Sequence, residues 1–185
     1  MRTRPTAFGA VAGLLALSGC SGDGDVEPAA LPPVQVVQEP AASAGGACIL
    51  WDYAFISKTI GVAFTVAAAD KVDDTRTCVV QTERAATPYL ALSVVERTKA
   101  DADLFLDELM PAKATKLKGL GKAGYRLVRK GSGSTGPTVE IGWLSEASQL
   151  QTLKFTFAKG AAKPAVDQMS TRLVDLAKAM DTVDG

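Results

Sequence analysis

Residues 153–180, LKFTFAKGAAKPAVDQMSTRLVDLAKAM, predict a strand that leads through a short connection into a helix. Leu153, Phe155 and Phe157 alternate with Lys154 and Thr156, as in a strand with one buried face. Pro164 suits the first turn of a helix. Beyond it, apolar residues recur every three or four positions: Val166, Met169, Leu173, Leu176 and Met180. Such a stripe is buried against a neighbouring layer, so the end of the chain predicts a helix packed on a sheet.

Upstream of this unit, five further runs of β-prone residues predict strands at residues 63–68, 77–83, 89–97, 125–130 and 139–143. The connections at residues 70–74, 85–88 and 131–136 are of hairpin length, and such short connections join antiparallel neighbours. We therefore predict an α+β fold, an antiparallel sheet covered by helices in the order α-β-β-β-α-β-β-β-α, as a two-layer sandwich.

Two more helices are predicted from spacing and end signals. The first has one apolar face and ends at Gly61; the face consists of Ile49, Tyr53, Ile56 and Ile60. The second begins at Thr98 and Asp101 and stops at Pro111; its inward residues are Phe105, Leu106, Leu109 and Met110. Trp51, near the start of the first helix, is interpreted as core or rim packing, with the lining of a pocket as the alternative.

The first twenty residues have the features of an export signal. Arg2 and Arg4 precede an uncharged apolar stretch at residues 7–17, which is too short to span a bilayer. Leu17-Ser18-Gly19-Cys20 then resembles the lipobox of bacterial lipoproteins. The resemblance implies cleavage after Gly19, a diacylglyceryl group on Cys20 and a position outside the cytoplasmic membrane. The alternative is an ordinary secretory signal with a cysteine at its end by chance.

The chain therefore divides into three parts. Residues 1–19 are the signal peptide, residues 20–46 the lipidated N-terminus and a disordered tether, and residues 47–185 a single α+β domain. The tether is assigned from its prolines and acids, which show no period that would bury a face.

Composition restricts the chemistry. The chain contains no histidine, which excludes Ser-His-Asp and Cys-His catalysis and histidine-ligated zinc. Zero net charge gives no field that would recruit nucleic acid. Asp70, Asp73 and Asp74 are interpreted as a turn rather than a cation site. We expect no metal and no cofactor.

Two cysteines remain after Cys20 is assigned to the lipid. Cys48 and Cys78 would lie in an oxidising compartment, where an even pair without a CxxC motif predicts a structural disulfide. A redox or metal role is the alternative.

Two glycine-rich segments match nucleotide-binding motifs in the spacing of their glycines but not in the residues that follow. Gly119, Gly121 and Gly124 have the GxGxxG spacing, but the strand-like residues that follow predict a turn that enters a strand. Residues 131–136 have P-loop spacing, but Pro137-Thr138 stands where a phosphate-binding lysine is needed. We interpret this second segment as a hairpin loop.

A run of basic residues between positions 113 and 130 contains no acid. Candidate contacts with anionic lipid or an anionic envelope polymer are Lys116, Lys118, Lys122, Arg126 and Lys130. The alternative is a solvated face whose lysines protect an edge strand from pairing with other chains.

Several of these features occur together in one known family. The chain resembles the actinobacterial lipoproteins that carry a DUF3558 domain, in which a lipobox and tether precede a Cys-x-Leu-Leu helix. The matching segments lie between residues 47 and 180; they are Cys48-Ile49-Leu50, Ile60-Gly61, Cys78 and the stretch from Gly119 to Tyr125. The resemblance implies an extracytoplasmic location and the disulfide.

Two function classes follow from these observations. The first is a lipid-anchored binding or adaptor protein of the bacterial envelope, which meets the membrane through Cys20 and binds an envelope polymer, a small apolar ligand or a protein. The second is an envelope enzyme that uses carboxylate or Ser-Lys chemistry. Convergent polar groups in a deep pocket would indicate the enzyme, and a shallow apolar cleft would indicate binding.

Overall fold

The computed structural model describes residues 38–96 and 98–181 and confirms the α+β fold class. The strands are β1 Val66–Val72, β2 Thr75–Thr82, β3 Ala85–Val95, β4 Thr115–Leu117, β5 Ala123–Arg129, β6 Thr135–Leu144 and β7 Leu150–Ala158. They form an antiparallel sheet in the order β1-β2-β3-β7-β6-β5-β4. The helices are α1 Tyr53–Ile60, α2 Ala102–Leu104, which continues as a π-helical turn at Phe105–Leu109, and α3 Lys163–Asp181. Two 3₁₀ turns, Ala41–Ala44 and Gly46–Leu50, precede α1.

The main core lies between the sheet and the pair α1 and α3. Leu153, Phe155 and Phe157 of β7 are buried there, as their alternation predicts. All five predicted stripe residues of α3 are buried in the same cluster. Each such side chain contributes roughly 1.5–3 kcal/mol when it is fully removed from water. The strand-helix unit at the end of the chain therefore organises the fold.

The second helix covers part of the opposite face of the sheet. The Asp101 carboxylate caps it by accepting a 2.8 Å hydrogen bond from the Leu104 backbone N–H. Phe105 is buried and stacks on Tyr125 of β5, with 5.8 Å between the ring centroids. The predicted two layers thus gain a third at this end of the sheet. The prediction that Leu109 faces inward is wrong: its side chain is 45% exposed, because the π turn shifts it off the packed face.

The predicted strand order misses one strand. After α2 the structure has four strands rather than three, because Thr115–Leu117 pairs with β5 as β4. Three residues without apolar alternation give no periodic signal, and this strand forms only through its partner. The predicted connections are also too long, since β1 continues to Val72 and β3 already begins at Ala85.

Helix α1 is shorter than predicted. The Asp52 carboxylate accepts hydrogen bonds from the backbone N–H groups of Ala54 and Phe55, so the helix begins at Tyr53. It ends at Gly61, as predicted, with a left-handed φ of 76°. Ile49, assigned to this helix from its spacing, lies instead in the 3₁₀ turn Gly46–Leu50.

The packed domain begins before the predicted boundary at residue 47. Ala41 is 1% exposed within the main core, and the Gln38 side-chain amide donates a hydrogen bond of 3.2 Å to the Phe64 carbonyl. Residues 38–46 are therefore part of the fold rather than of an extended tether. The signal peptide, Cys20 and the rest of the predicted tether lie outside the described residues. None of the helices in the described ranges is long and apolar enough to cross a membrane.

Candidate binding cleft

A cleft of about 760 Å³ opens where the chain enters the domain. Three segments line it: residues 38–42 before the 3₁₀ turns, residues 49–54 with Ser57 around the start of α1, and Ala63 with Phe64 after α1. The volume lies within the range of small-molecule sites. Because the three segments are separated in the chain, only the fold brings them together.

A disulfide fixes one wall of this cleft. Cys48 in the 3₁₀ turn is bonded to Cys78 of β2, with 4.9 Å between the Cα atoms, which confirms the predicted pair. Both cysteines are completely buried. The next two residues, however, project into water, with Ile49 65% and Leu50 41% exposed. The bridge therefore holds two large apolar side chains at the rim of the cleft. Their burial would lower the free energy, so the rim is a place where an apolar partner can bind.

Aromatic side chains form the body of the cleft. Trp51 and Phe64 are each 2% exposed, so both supply packed walls. Tyr53 is half-buried, and this burial raises the pKa of its hydroxyl above 10.0. The hydroxyl therefore stays protonated near neutral pH and can donate a hydrogen bond. Trp51 is therefore packed in the core and also lines the cleft, so both interpretations of this residue apply.

The charges at the cleft are acidic. Glu39 and Asp52 line it, and among the described lining residues none is basic. Both carboxylates have structural partners: Asp52 caps α1, and Glu39 accepts a hydrogen bond of 3.4 Å from the Ser43 hydroxyl. Ser57 also lines the cleft but has no lysine beside it in the lining. The arrangement accordingly suits the binding of an apolar group with a neutral or positively charged end.

A second, smaller cleft of about 220 Å³ lies on the other side of the same turn. Ile49 and Leu50 line both clefts, so they form a ridge between them. On the far side of the smaller cleft, Arg76 and Glu96 form an ion pair at 3.3 Å. Since both side chains are more than a third exposed, this pair contributes little to stability.

The five candidate basic residues do not form one surface. Strand pairing places Lys116 opposite Tyr125 on one face of the sheet, whereas Arg126 pairs with Thr115 and Ile141 on the other face. Lys122 donates a hydrogen bond of 2.8 Å from Nζ to the Ser148 hydroxyl. Lys118 and Lys130 are exposed beyond the ends of their strands. Because β4 is an edge strand, Lys116 also occupies the kind of position that protects an edge.

The glycine segments have the predicted structural roles. Gly119 and Gly121 precede β5, and Gly124 is the second residue of that strand, so a strand rather than a helix follows the turn. The backbone N–H of Gly121 donates a hydrogen bond of 2.9 Å to the Asp181 carboxylate at the end of α3. A Cβ at Gly121 would overlap the Leu144 carbonyl, so this turn requires glycine. Residues 130–134 connect β5 to β6 as a hairpin.

The acidic residues 70, 73 and 74 also form a turn, in which Asp73 adopts a φ of 51° between β1 and β2. Within the described ranges, no group of three or more potential ligand side chains is placed to hold a metal ion. Comparisons with protein-family models, curated proteins and solved structures find no match to this chain.

Proposed function

We propose that this protein is a lipid-anchored, extracytoplasmic binding protein of the bacterial envelope, and that the cleft holds the apolar chain of an amphiphile. The observation that carries this proposal is the exposure of Ile49 and Leu50, 65% and 41%, on a turn that a disulfide fixes at the cleft rim. The anchor rests on the motif Leu17-Ser18-Gly19-Cys20 in the sequence.

An apolar chain is favoured because it would bury surface that the free protein leaves in water. Ile49 and Leu50 flank the opening, and Phe64 and Trp51 form walls behind them. Each methylene of a ligand chain buried there contributes about 0.8 kcal/mol. Several methylenes thus suffice for specific binding without any fixed polar partner.

The polar end of the ligand is expected to be neutral or positively charged. Glu39 and Asp52 give the rim its negative charge, and both are exposed. An anionic end would be repelled, and a cationic end attracted, by an amount that falls as salt is added. The Tyr53 hydroxyl is available as a neutral donor beside them.

Titration with two alkyl probes of opposite charge tests the proposal. The titration uses residues 20–185 with the substitution Cys20→Ser. Without the lipid on Cys20 no detergent is needed, and detergent would compete with the probes for the cleft. We expect dodecyltrimethylammonium to bind saturably below its micelle concentration and dodecyl sulfate to bind more weakly. Ile49→Ser should weaken the cationic probe about tenfold, since it removes the contact of one large apolar side chain.

Val72→Ser is the matched control. Val72 is 61% exposed, much like Ile49, but lies on β1 and does not line the cleft. This variant should bind as the parent does. Equal weakening by Ile49→Ser and Val72→Ser would contradict a site at the cleft, and saturable capture of a protein instead of the alkyl probes would indicate an adaptor.

A further inference from the structure

A separate polar cleft lies at the opposite edge of the sheet from β1. It measures about 410 Å³ and is bounded by the segment around β4, by β5 and by the first half of α3. The lining residues that matter here are Lys113, Thr115, Arg126, Asp167, Ser170 and Thr171. Two of these are basic, and three carry hydroxyl groups.

Arg126 is the first unexplained group in this cleft. Its side chain is half-buried on the face of β5 that α3 covers, opposite Ile141. Within residues 38–96 and 98–181, the guanidinium makes no hydrogen bond and no ion pair. A partly desolvated arginine favours an anion, because its five N–H donors match the oxygens of phosphate or carboxylate.

Ser170 is the second unexplained group. It is 4% exposed, and its hydroxyl has no hydrogen-bond partner among the described residues. A buried hydroxyl without a partner is unfavourable, and a group bound in the cleft beside Arg126 would supply the partner that Ser170 lacks among the described residues. Lys113 adds a second positive charge to the same lining.

Asp167 is the acidic residue in the lining of this cleft, and its carboxylate already forms an ion pair with a lysine. The Lys163 ammonium contacts its carboxylate at 2.5 Å, and both side chains are exposed. Arg126 and Lys113 consequently remain available to an incoming anion. The Asp167 charge still opposes that anion and sets a limit on its affinity.

We propose that this cleft is a binding site for a phosphate group, which Arg126 and Lys113 bind by charge and Ser170 by a hydrogen bond. A tetrahedral oxyanion suits this set better than a carboxylate, since its oxygens point in more directions and can face Arg126, Lys113 and Ser170 at the same time. The proposal is independent of the apolar cleft and differs from a diffuse basic surface, because Arg126 is assigned a fixed role.

The test titrates inorganic phosphate into the full lipidated chain in neutral detergent, with ionic strength held constant by chloride. The backbone N–H resonances of residues 170 and 171, which line the cleft and are present in every variant, report binding. We expect a saturable shift, which Arg126→Gln weakens about tenfold or more. The matched control is Arg129→Gln, which removes the same charge from the opposite face of β5 and should change affinity less than about twofold.

Two further variants separate a binding role from a structural one. Ser170→Ala should weaken phosphate binding severalfold while raising the Tm of the phosphate-free protein, because it removes a buried, unpaired hydroxyl. Asp167→Asn should strengthen phosphate binding, since it removes the opposing charge.

A second experiment distinguishes a phosphate group carried by a lipid from a soluble phosphate. The chain carrying Cys20→Ser is mixed with phosphatidylcholine vesicles, with and without phosphatidylglycerol. Binding to the anionic vesicles that Arg126→Gln abolishes would assign a lipid phosphodiester, whereas binding to inorganic phosphate alone would assign a soluble phosphate. Saturable binding in neither arm, or equal weakening by Arg126→Gln and Arg129→Gln, would overturn the proposal.

Discussion

The ring of Tyr125 lies against the backbone of Gly142, and a Cβ atom at position 142 would overlap it. Only glycine on β6 lets the Tyr125 hydroxyl reach Glu140, to which it donates a hydrogen bond of 2.9 Å. Phe105 stacks on the same ring. This contact joins β5 to β6 on the face of the sheet opposite α1 and α3.

Tyr125 should make stability depend on pH in the alkaline range. Burial first, and then the negative charge of Glu140, raise the Tyr125 pKa above its ordinary value of 10.0. The folded state thus holds this proton more tightly than the unfolded state does. The resulting stabilisation is complete below about pH 10 and is lost as pH rises above it.

Urea unfolding of the parent and of Tyr125→Phe between about pH 8 and 11 measures this effect. The phenylalanine variant lacks the titrating group, so the difference in unfolding free energy between the two proteins should shrink as pH rises. Parallel pH profiles would show that Tyr125 does not contribute.

Loss of the Cys48–Cys78 bridge should affect both stability and the cleft. The bridge closes a loop with a sequence separation of 30 residues, and the double variant Cys48→Ala/Cys78→Ala should lose about 3–4 kcal/mol of unfolding free energy. Because Ile49 and Leu50 follow Cys48 directly, cationic probe binding should weaken as well. Unfolding and probe titration at a temperature where the variant is folded check both effects; unchanged probe affinity would show that the bridge does not shape the cleft.

The contact between α1 and α3 should depend on Gly61. Its φ of 76° is left-handed, and an added Cβ would overlap the Arg172 guanidinium, which donates a hydrogen bond of 2.8 Å to the Ile60 carbonyl. Gly61→Ala should therefore cost about 2–3 kcal/mol in urea unfolding. Gly133→Ala, with a φ of 59° and open space around the site, should cost only about 1 kcal/mol. Equal losses would exclude a role for Arg172.

Periodic patterns and end signals predicted the elements that determine this fold. The α3 stripe, the alternation in β7, the Asp101 cap and the end of α1 at Gly61 all appear as expected. Strand β4 was missed because its three residues depend on pairing with β5. Local spacing likewise gives no sign of the π turn that exposes Leu109, in which Phe105 stacks on Tyr125.

The candidate cleft was much harder to foresee. Its outer wall comes from residues 38–42, whose composition looks like a tether, although the small Ala41 side chain packs in the core. Ile49 fits the helical spacing of α1, but the disulfide and the Asp52 cap place it in a separate turn. In the sequence, Cys48 and Cys78 pointed to this region, as did the interpretation of Trp51 as the lining of a pocket.

The proposed anchor is tested by Cys20→Ala. If Cys20 carries the lipid, this change should release the protein from membranes or leave an unprocessed precursor that retains residues 1–19. Ser21→Ala is the control and should stay in the membrane fraction as mature protein. Cell fractionation with mass spectrometry of the N-terminal peptide decides it. An unlipidated protein that is mature at position 20 and still held in the membrane would contradict the anchor.

We propose that an alkyl chain lies in the cleft beside Ile49 and Leu50, and paramagnetic broadening measures this position most directly. A dodecylammonium probe with a nitroxide on its chain is added to methyl-labelled residues 20–185 carrying Cys20→Ser. The methyl resonances of Ile49 and Leu50 should broaden at probe concentrations that leave Val72 and Val128 sharp, although those two are 61% and 48% exposed. Equal broadening of all four residues would mean that the probe meets exposed apolar side chains at random, and the proposed binding cleft would then be wrong.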